Sequence, residues 1–227
     1  MLVKFNTRVM RRLRGEFYGQ KFVLHVGETV STLSQLIAAL PAKEASILDH
    51  MRDLVQRFCD KGLLSFYYVH DLIWEYIAAI KDNTKRMNDA IELLVDHLPK
   101  LMETKHGSKA ACLIAAASTA KDRKKMVKAL KGHMLTGLTS ASAHLYIMRL
   151  LDVVDDTVMV QKTMLEEIKS TAEVPAQYTA TGEQMGTTYP KLVTLAMDKY
   201  GSKFLLRLLN PLRRHMEPDE DELFYEN

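Results

Sequence analysis

The 227-residue sequence contains little cysteine, proline or glycine. Its two cysteines, Cys59 and Cys112, exclude a disulfide scaffold and a zinc site built from several cysteines. Six prolines and ten glycines leave long stretches without helix breakers. Because leucine, alanine, methionine, lysine and glutamate are abundant, the composition predicts a helical protein.

Long apolar runs and targeting signals are also missing. No run approaches the roughly 18 apolar residues that cross a membrane, so we expect no membrane partner. Residues 1–15 lack the apolar core of a signal peptide. Both cysteines lie in apolar helical patterns, where a free thiol behaves as a small hydrophobic group. A reducing, intracellular compartment is the simplest interpretation.

Motifs for catalysis and metal binding are absent as well. The eight histidines are scattered, and none has the spacing of an HExxH motif or a CxxC companion. The Gly107-Ser108-Lys109 element lacks the glycine-rich run of a phosphate-binding loop, and no GxSxG element occurs. We therefore predict that the protein is not an enzyme and has no catalytic residues, metal site or cofactor.

Apolar residues recur at helical spacing along most of the chain. Residues that can cap helices stand between the apolar stripes, namely Asp82 or Asn83, Thr119 or Asp122, and Asp155 or Asp156. Two segments break the pattern. Residues 171–190 are rich in threonine and glycine and predict an inserted mobile loop, and residues 217–227 predict a solvated acidic tail.

A repeated motif runs through the sequence. The segments YGQKFVLHV, HGSKAACLI and YGSKFLLRLL share a glycine, a lysine and a following apolar run, and YYVHDLIWEY and ASAHLYIMRLL are looser copies. The aligned residues are Lys21, His70, Lys109, His144 and Lys203. Their separations are 49, 39, 35 and 59 residues, and the last falls to 39 without the 171–190 loop. A helical period of this length predicts an α-solenoid, with residues 1–216 forming one array of about five to six repeats.

These motifs resemble those of Pumilio-type (PUF) repeat proteins. HGSKAACLI and YGSKFLLRLL are similar to the RNA-facing helix of a PUF repeat. The order and spacing of the elements KDRK, VDDT and YGSK resemble the C-terminal repeats of the Puf-A subfamily. The match is good over roughly residues 105–211 and weaker over residues 1–104. The resemblance implies an all-α, armadillo-like superhelix and further upstream repeats of the same protein.

The sequence departs from base-reading PUF repeats at one position of each facing helix. Such repeats read a base with three side chains, two of them adjacent and the third one turn further on. Here the third positions are Leu24, Ile73, Cys112, Ile147 and Leu206. Because an apolar side chain cannot hydrogen-bond to a base edge, we predict little base-by-base recognition.

Weak base recognition agrees with the function that the resemblance implies. The resemblance to Puf-A-type proteins implies a sequence-tolerant binder of structured or double-stranded nucleic acid. The resemblance implies pre-ribosomal RNA as the ligand, during assembly and rRNA processing of the large (pre-60S) ribosomal subunit. It also implies ribosomal proteins or assembly factors of that subunit as partners, and localisation to the nucleus and nucleolus.

The net charge of +3 conceals a segregation of charge. The tail holds six acidic residues and no basic one, so residues 1–216 carry 31 basic and 22 acidic residues, a net charge of +9. One basic cluster contains Arg8, Arg11, Arg12, Arg14 and Lys21. A second contains Lys121, Arg123, Lys124, Lys125, Lys128 and Lys131. These residues, with Lys109, His144 and Lys203 of the facing helices, are the predicted nucleic-acid-binding set.

The same residues can also have purely structural roles that involve no ligand. A lysine-rich helix face is often simply solvated, a lysine stem can cover apolar surface, and a histidine between repeats often serves as a hydrogen-bonding residue. The alternative function is a HEAT- or armadillo-like scaffold that binds a peptide or ribosomal protein without direct RNA contact.

Overall fold

Helices account for most of the chain that the structure, a computed structural model, describes. The described residues are 7–24, 26, 30–169, 177–178, 184–185 and 190–210, and side chains in the first helix are described from Leu13 onward. The helical composition therefore confirms the all-α prediction. Contacts divide the chain into two units, Met1–His97 and Leu98–Asn227, and each is described by itself.

The described residues of the first unit form six α-helices. They are α1 (Thr7–Tyr18), α2 (Gln20–Val23), α3 (Leu33–Ala39), α4 (Glu44–Asp60), α5 (Tyr67–Ile80) and α6 (Thr84–Leu94). Short 3-10 turns lie at Pro41–Lys43, Leu63–Ser65 and Val95–His97. The amphipathic faces of these helices bury a core that includes Leu36, Met51, Leu72, Ile77 and Ile91.

The second unit contains nine described helices. They are α7 (Leu98–Leu101), α8 (Lys105–Ala117), α9 (Ala120–Ala129), α10 (Met134–Leu138), α11 (Ala143–Val153), α12 (Thr157–Val160), α13 (Glu166–Lys169), α14 (Lys191–Met197) and α15 (Gly201–Leu209). A π-helical turn, Gln161–Leu165, joins α12 to α13. The core contains Ile114, Met126, Tyr146, Met164 and Phe204.

Helix capping follows the sequence closely. One residue of each predicted pair serves as the N-cap: Asn83 for α6, Thr119 for α9 and Asp156 for α12. Each side chain accepts a hydrogen bond from a backbone N–H in the first turn of its helix. These bonds satisfy donors that have no partner within the helix.

The five aligned positions of the repeat all fall in helices. Lys21, His70, Lys109, His144 and Lys203 lie in α2, α5, α8, α11 and α15 respectively. In the second unit, α8 packs against α11, and α11 also contacts α15. Successive copies of the motif are therefore neighbours there, as a solenoid of stacked repeats requires.

Only a small part of the predicted loop at 171–190 is described. Gln177–Tyr178 and Gln184–Met185 form an antiparallel pair, β1 and β2, with Gln177 opposite Met185. The sequence predicted no strand here, because two residues are too short to produce an alternating pattern. Residues 217–227 lie outside the described residues, and the single array over 1–216 stays a prediction.

None of the helices formed by the described residues is long and apolar enough to cross a membrane. Nor do the histidine, cysteine and acidic side chains of the described residues come together in a group of three or more that could hold a metal ion.

The glycine of the repeat motif permits a close approach between neighbouring chain segments. A Cβ atom added at Gly107 would lie 2.0 Å from the carbonyl oxygen of Leu101, and one at Gly201 would lie 2.8 Å from that of Leu195. In both copies the start of the facing helix thus packs on the backbone of the preceding helix. The first copy differs, because Gly19 has a φ of +93°, which favours glycine for conformational reasons.

We expect Gly107→Ala to destabilise the protein. The added methyl group would overlap backbone rather than a flexible side chain, so the helices must shift apart, at a cost of about 1–3 kcal/mol in the free energy of unfolding. Urea denaturation followed by circular dichroism measures this loss.

The matched control for this prediction is Gly15→Ala within α1. A Cβ atom there meets only side-chain atoms of Val23, at 3.5 Å or more. Alanine also has the higher helix propensity, so this change should raise stability by about 0.5–1 kcal/mol. Equal effects of the two substitutions would contradict the packing role of Gly107.

Candidate nucleic-acid interface

The helix α9 presents a continuous basic surface. It begins after Thr119, whose hydroxyl accepts the Asp122 N–H at 3.3 Å, and it buries Met126 and Val127 on its inner side. The lysines of the helix and of the turn after it are exposed, and we call them the lysine face: Lys121, Lys124, Lys125, Lys128 and Lys131. The predicted exposure of these five residues is thus present in the fold.

Two carboxylates oppose the lysine face. Lys124 Nζ lies 3.1 Å from Asp156 Oδ2, and Lys125 Nζ lies 3.6 Å from Asp122 Oδ1. The hydrogen bond from the Met159 N–H, followed by that from Lys124, lowers the pKa of Asp156, so this carboxylate is ionised at neutral pH. No carboxylate of the described residues forms an ion pair with the other three lysines.

Arg123 does not belong to this face, in contrast to the prediction. Its Nε donates to Ala115 O at 3.0 Å, its Nη2 to Ala116 O at 2.8 Å and its Nη1 to Val153 O at 2.7 Å. The guanidinium therefore binds the carboxyl-terminal ends of both α8 and α11. Carbonyls at a helix end lack intrahelical donors and carry partial negative charge, which explains why a cation binds there.

Arg14 is likewise engaged within the protein. It forms ion pairs with Glu75 at 3.3 Å and Asp71 at 3.8 Å, and it donates to Ser31 O at 3.1 Å. Glu75 also accepts the Tyr18 hydroxyl and the Leu33 N–H. Arg14 thus stabilises the packing of α1 and α3 on α5.

Tyr18 is the fully buried member of this cluster. Burial, and then its hydrogen bond to Glu75, raises the pKa of the Tyr18 hydroxyl. The prediction that Arg14 contacts phosphate is corrected, because its charge is balanced by two carboxylates in a half-buried position.

Two of the predicted residues on the facing helices are buried. His144 is 0% exposed, and its Nδ1 lies 2.9 Å from Ser140 O. Its ring packs on Tyr200 with centroids 4.7 Å apart, and Lys203, only 7% exposed, places Nζ 5.7 Å from the centroid of the same ring. These contacts join α11 to α15, so neither residue offers a surface to nucleic acid and both predictions are corrected.

The remaining predicted residues differ in their exposure to solvent and in whether the structure describes their side chains. Lys21 is exposed, with Nζ 4.8 Å from the centroid of the Phe22 ring, and Lys109 is half-buried in α8. The side chains of Arg8, Arg11 and Arg12 lie outside the described residues. Their assignment stays a prediction.

The third positions of the facing helices strengthen the argument against base reading. Ile73, Cys112 and Ile147 are buried, and burial raises the pKa of the Cys112 thiol to about 12, so it remains neutral. Leu24 and Leu206 are exposed but apolar. In the described facing helices, none of these five positions can hydrogen-bond to a base edge.

Two lysines beside the lysine face were not among the residues predicted from the sequence. Lys162 and Lys191 line one depression together with Lys131. They are isolated in the sequence, and neither belongs to a basic cluster. Only the packing of the π-helical turn and α14 near the end of α9 brings the three together.

Comparisons with known proteins agree with this architecture. No family model matches the chain. Pumilio homolog 24 of Arabidopsis thaliana is 29% identical over 205 residues, covering 88% of this chain and 28% of that protein. Pumilio homology domain family member 6 of Schizosaccharomyces pombe is 26% identical over 205 residues, covering 90% of this chain and 28% of that protein.

The crystal structure of human Puf-A superposes on 98% of this chain and 39% of its own, with a TM-score of 0.81 and 24% identity. The chain has the fold of the Pumilio repeats of human Puf-A. A crystal structure of human Puf-A in complex with DNA matches with a TM-score of 0.80. The α-solenoid prediction is thereby confirmed. The chain spans less than one third of the length of the two curated relatives.

We expect Arg123→Lys to destabilise this Pumilio-like fold. Lysine keeps the positive charge but cannot reach three carbonyls in a fork. Leaving partly buried acceptors without donors should cost about 1–3 kcal/mol in the free energy of unfolding. Urea denaturation measures this loss, and Lys121→Ala in the exposed first turn is the control that should change stability little. A stable Arg123→Lys variant would contradict the structural role.

Proposed function

We propose that the chain is a sequence-tolerant RNA-binding scaffold that binds the phosphate backbone through the lysine face. One observation carries the proposal: five exposed lysines lie along α9 and the turn after it, against two carboxylates. Like charges so close on a helix repel one another. A polyanion relieves this repulsion and gains free energy from the release of its counterions.

Recognition of phosphate rather than base edges follows from the two kinds of surface. The third position of each facing helix, which contributes to base reading in PUF repeats, carries an apolar side chain here. The lysine face presents ammonium groups, which act as point charges and carry no base specificity. We therefore expect similar affinities for unrelated sequences.

The similarity to human Puf-A supports nucleic acid as the ligand, since that protein was crystallised with DNA. On the resemblance to Puf-A-type proteins, we further propose that the ligand is pre-ribosomal RNA during assembly of the large subunit. The nucleolus would then be the site of action, with ribosomal proteins or assembly factors nearby. Crosslinking in cells tests this proposal, and reads spread over unrelated messenger RNAs would contradict it.

A protein-interaction scaffold is the second candidate. It is favoured by exposed apolar side chains on the last two described helices, which include Met197 of α14 and Leu206 and Leu209 of α15. Exposed apolar patches of this kind are typical of protein interfaces. In this function the lysine face would have no ligand.

Neutralising the lysine face should weaken RNA binding strongly. For Lys121→Gln/Lys124→Gln/Lys128→Gln, we expect an affinity loss of about tenfold or more at 0.1 M salt, and a log–log salt slope shallower by about three. Fluorescence anisotropy with two unrelated RNAs of equal length measures both quantities, and the loss should be the same for each RNA.

The control carries the same change in charge at three other exposed lysines, Lys61→Gln/Lys81→Gln/Lys85→Gln. Its affinity should stay within about twofold of the parent protein, as expected when no phosphate contact is removed. Unchanged affinity in the α9 variant, with a protein partner still bound, would favour the protein-interaction scaffold. Strong preference for one short single-stranded motif would contradict sequence tolerance.

Removing the carboxylate that pairs with Lys124 should have the opposite effect. In the variant Asp156→Asn, the new amide side chain would still cap α12, because asparagine is an effective N-cap residue. The ammonium group of Lys124 would lose its charged partner and become available to phosphate. We therefore expect Asp156→Asn to raise RNA affinity by about twofold to threefold at low salt.

The same titrations in increasing salt provide the check on this substitution. The gain should shrink as salt rises, because it is electrostatic. Lower affinity at an unchanged melting temperature would mean that Asp156 supports the interface instead of competing with it.

A further inference from the structure

The lysine face leads into a depression on the second unit. The turn after α9, the π-helical turn and the start of α14 surround an open space of about 740 Å³. Lys131, Lys162 and Lys191 line it from these three elements, and Thr163 adds a hydroxyl group. Three ammonium groups from separate parts of the chain therefore border one space.

The acidic residues of the depression are not equivalent. Glu167 directs both carboxylate oxygens at backbone groups, since Oε2 accepts the Gly132 N–H at 2.7 Å and Oε1 accepts the Met134 N–H at 3.0 Å. Its role is thus to hold the turn that follows Lys131. Glu166 is exposed at the edge of the depression and is the carboxylate that opposes the lysines.

The position of Lys191 is also defined by Glu167. Lys191 Nζ donates to the backbone oxygen of Glu167 at 3.3 Å, which holds the half-buried lysine at the depression. Lys131 and Lys162 are exposed, so their ammonium groups can move to meet a ligand. One held and two adaptable cations suit an anion with several oxygen atoms.

We propose that this depression is a second phosphate-binding site, which receives the nucleic-acid backbone as it leaves the lysine face. Lys131 belongs to both surfaces, so phosphates on α9 and in the depression lie along one path. The depression is open to solvent, which suits a continuous chain of phosphodiesters better than a small enclosed anion. The inference rests on the proposed function and extends it from α9 to α14.

The test compares four proteins in RNA titrations at several KCl concentrations. They are the parent, the lysine-face variant Lys121→Gln/Lys124→Gln/Lys128→Gln, Lys162→Gln/Lys191→Gln and Glu166→Gln. The probe is a fluorescein-labelled RNA duplex of about 20 base pairs, long enough to span the footprint of a typical duplex-RNA-binding domain. For Lys162→Gln/Lys191→Gln we expect an affinity loss of about tenfold and a salt slope shallower by about two. Glu166→Gln should raise the affinity about twofold, because it removes the opposing charge.

The outcomes separate this inference from the proposed function. If the lysine-face variant loses affinity while Lys162→Gln/Lys191→Gln does not, the second site is wrong and the proposed function stands. If neither variant loses affinity, both are wrong. Thermal unfolding in the absence of RNA shows whether the Lys162→Gln/Lys191→Gln variant is folded. Since Lys191 contacts Glu167, the single variant Lys162→Gln supplies the same test with a slope change of about one.

A competition experiment distinguishes a phosphodiester from free phosphate. At constant ionic strength, inorganic phosphate replaces chloride during titration of the parent protein with the RNA duplex. We expect no change beyond that produced by chloride. A specific fall in affinity that is lost in Lys162→Gln/Lys191→Gln would overturn the proposal in favour of a free-anion site.

Discussion

Three hydrogen bonds from one guanidinium determine how the basic surface is presented. Arg123 binds the carbonyl ends of α8 and α11 with Nε, Nη1 and Nη2, at 2.7 to 3.0 Å. It therefore anchors α9 to two successive facing helices. The lysines of α9 project outward because the arginine among them is turned inward. The four exposed lysines within this ten-residue helix would otherwise favour its fraying.

Charge and apolar surface have separate roles in the second unit. The facing helices α8, α11 and α15 use their motif residues to pack, and His144, Tyr200 and Lys203 form contacts between repeats. The outward side of α9 carries the lysines. This division is the reverse of a base-reading repeat, in which the facing helix displays its polar groups to the ligand.

The same residue type in different copies of the motif is also required for different physical reasons. The glycines of HGSK and YGSK permit backbone contact with the preceding helix, whereas the glycine of YGQK adopts a positive φ. Likewise, Arg123 and Lys124 are neighbours in one basic cluster, yet one caps helix ends and the other pairs with Asp156 in an exposed position. A pattern of residue types predicts the repeat and leaves each role open.

The sequence alone determined the helical class, the repeat, a pair of candidate residues for each of three N-caps, and the basic face of α9. These features depend on local spacing and on the chemistry of adjacent residues, which a linear pattern contains. Only the tertiary structure decided the inward turn of Arg14 and Arg123, the burial of His144 and Lys203, and the grouping of Lys162 and Lys191 with Lys131. These features depend on residues far apart in the chain, such as Val153, which lies 30 residues from Arg123. Such partners come within hydrogen-bonding distance only when the helices pack together. The periodicity of a single helix contains no information about which distant residues will meet.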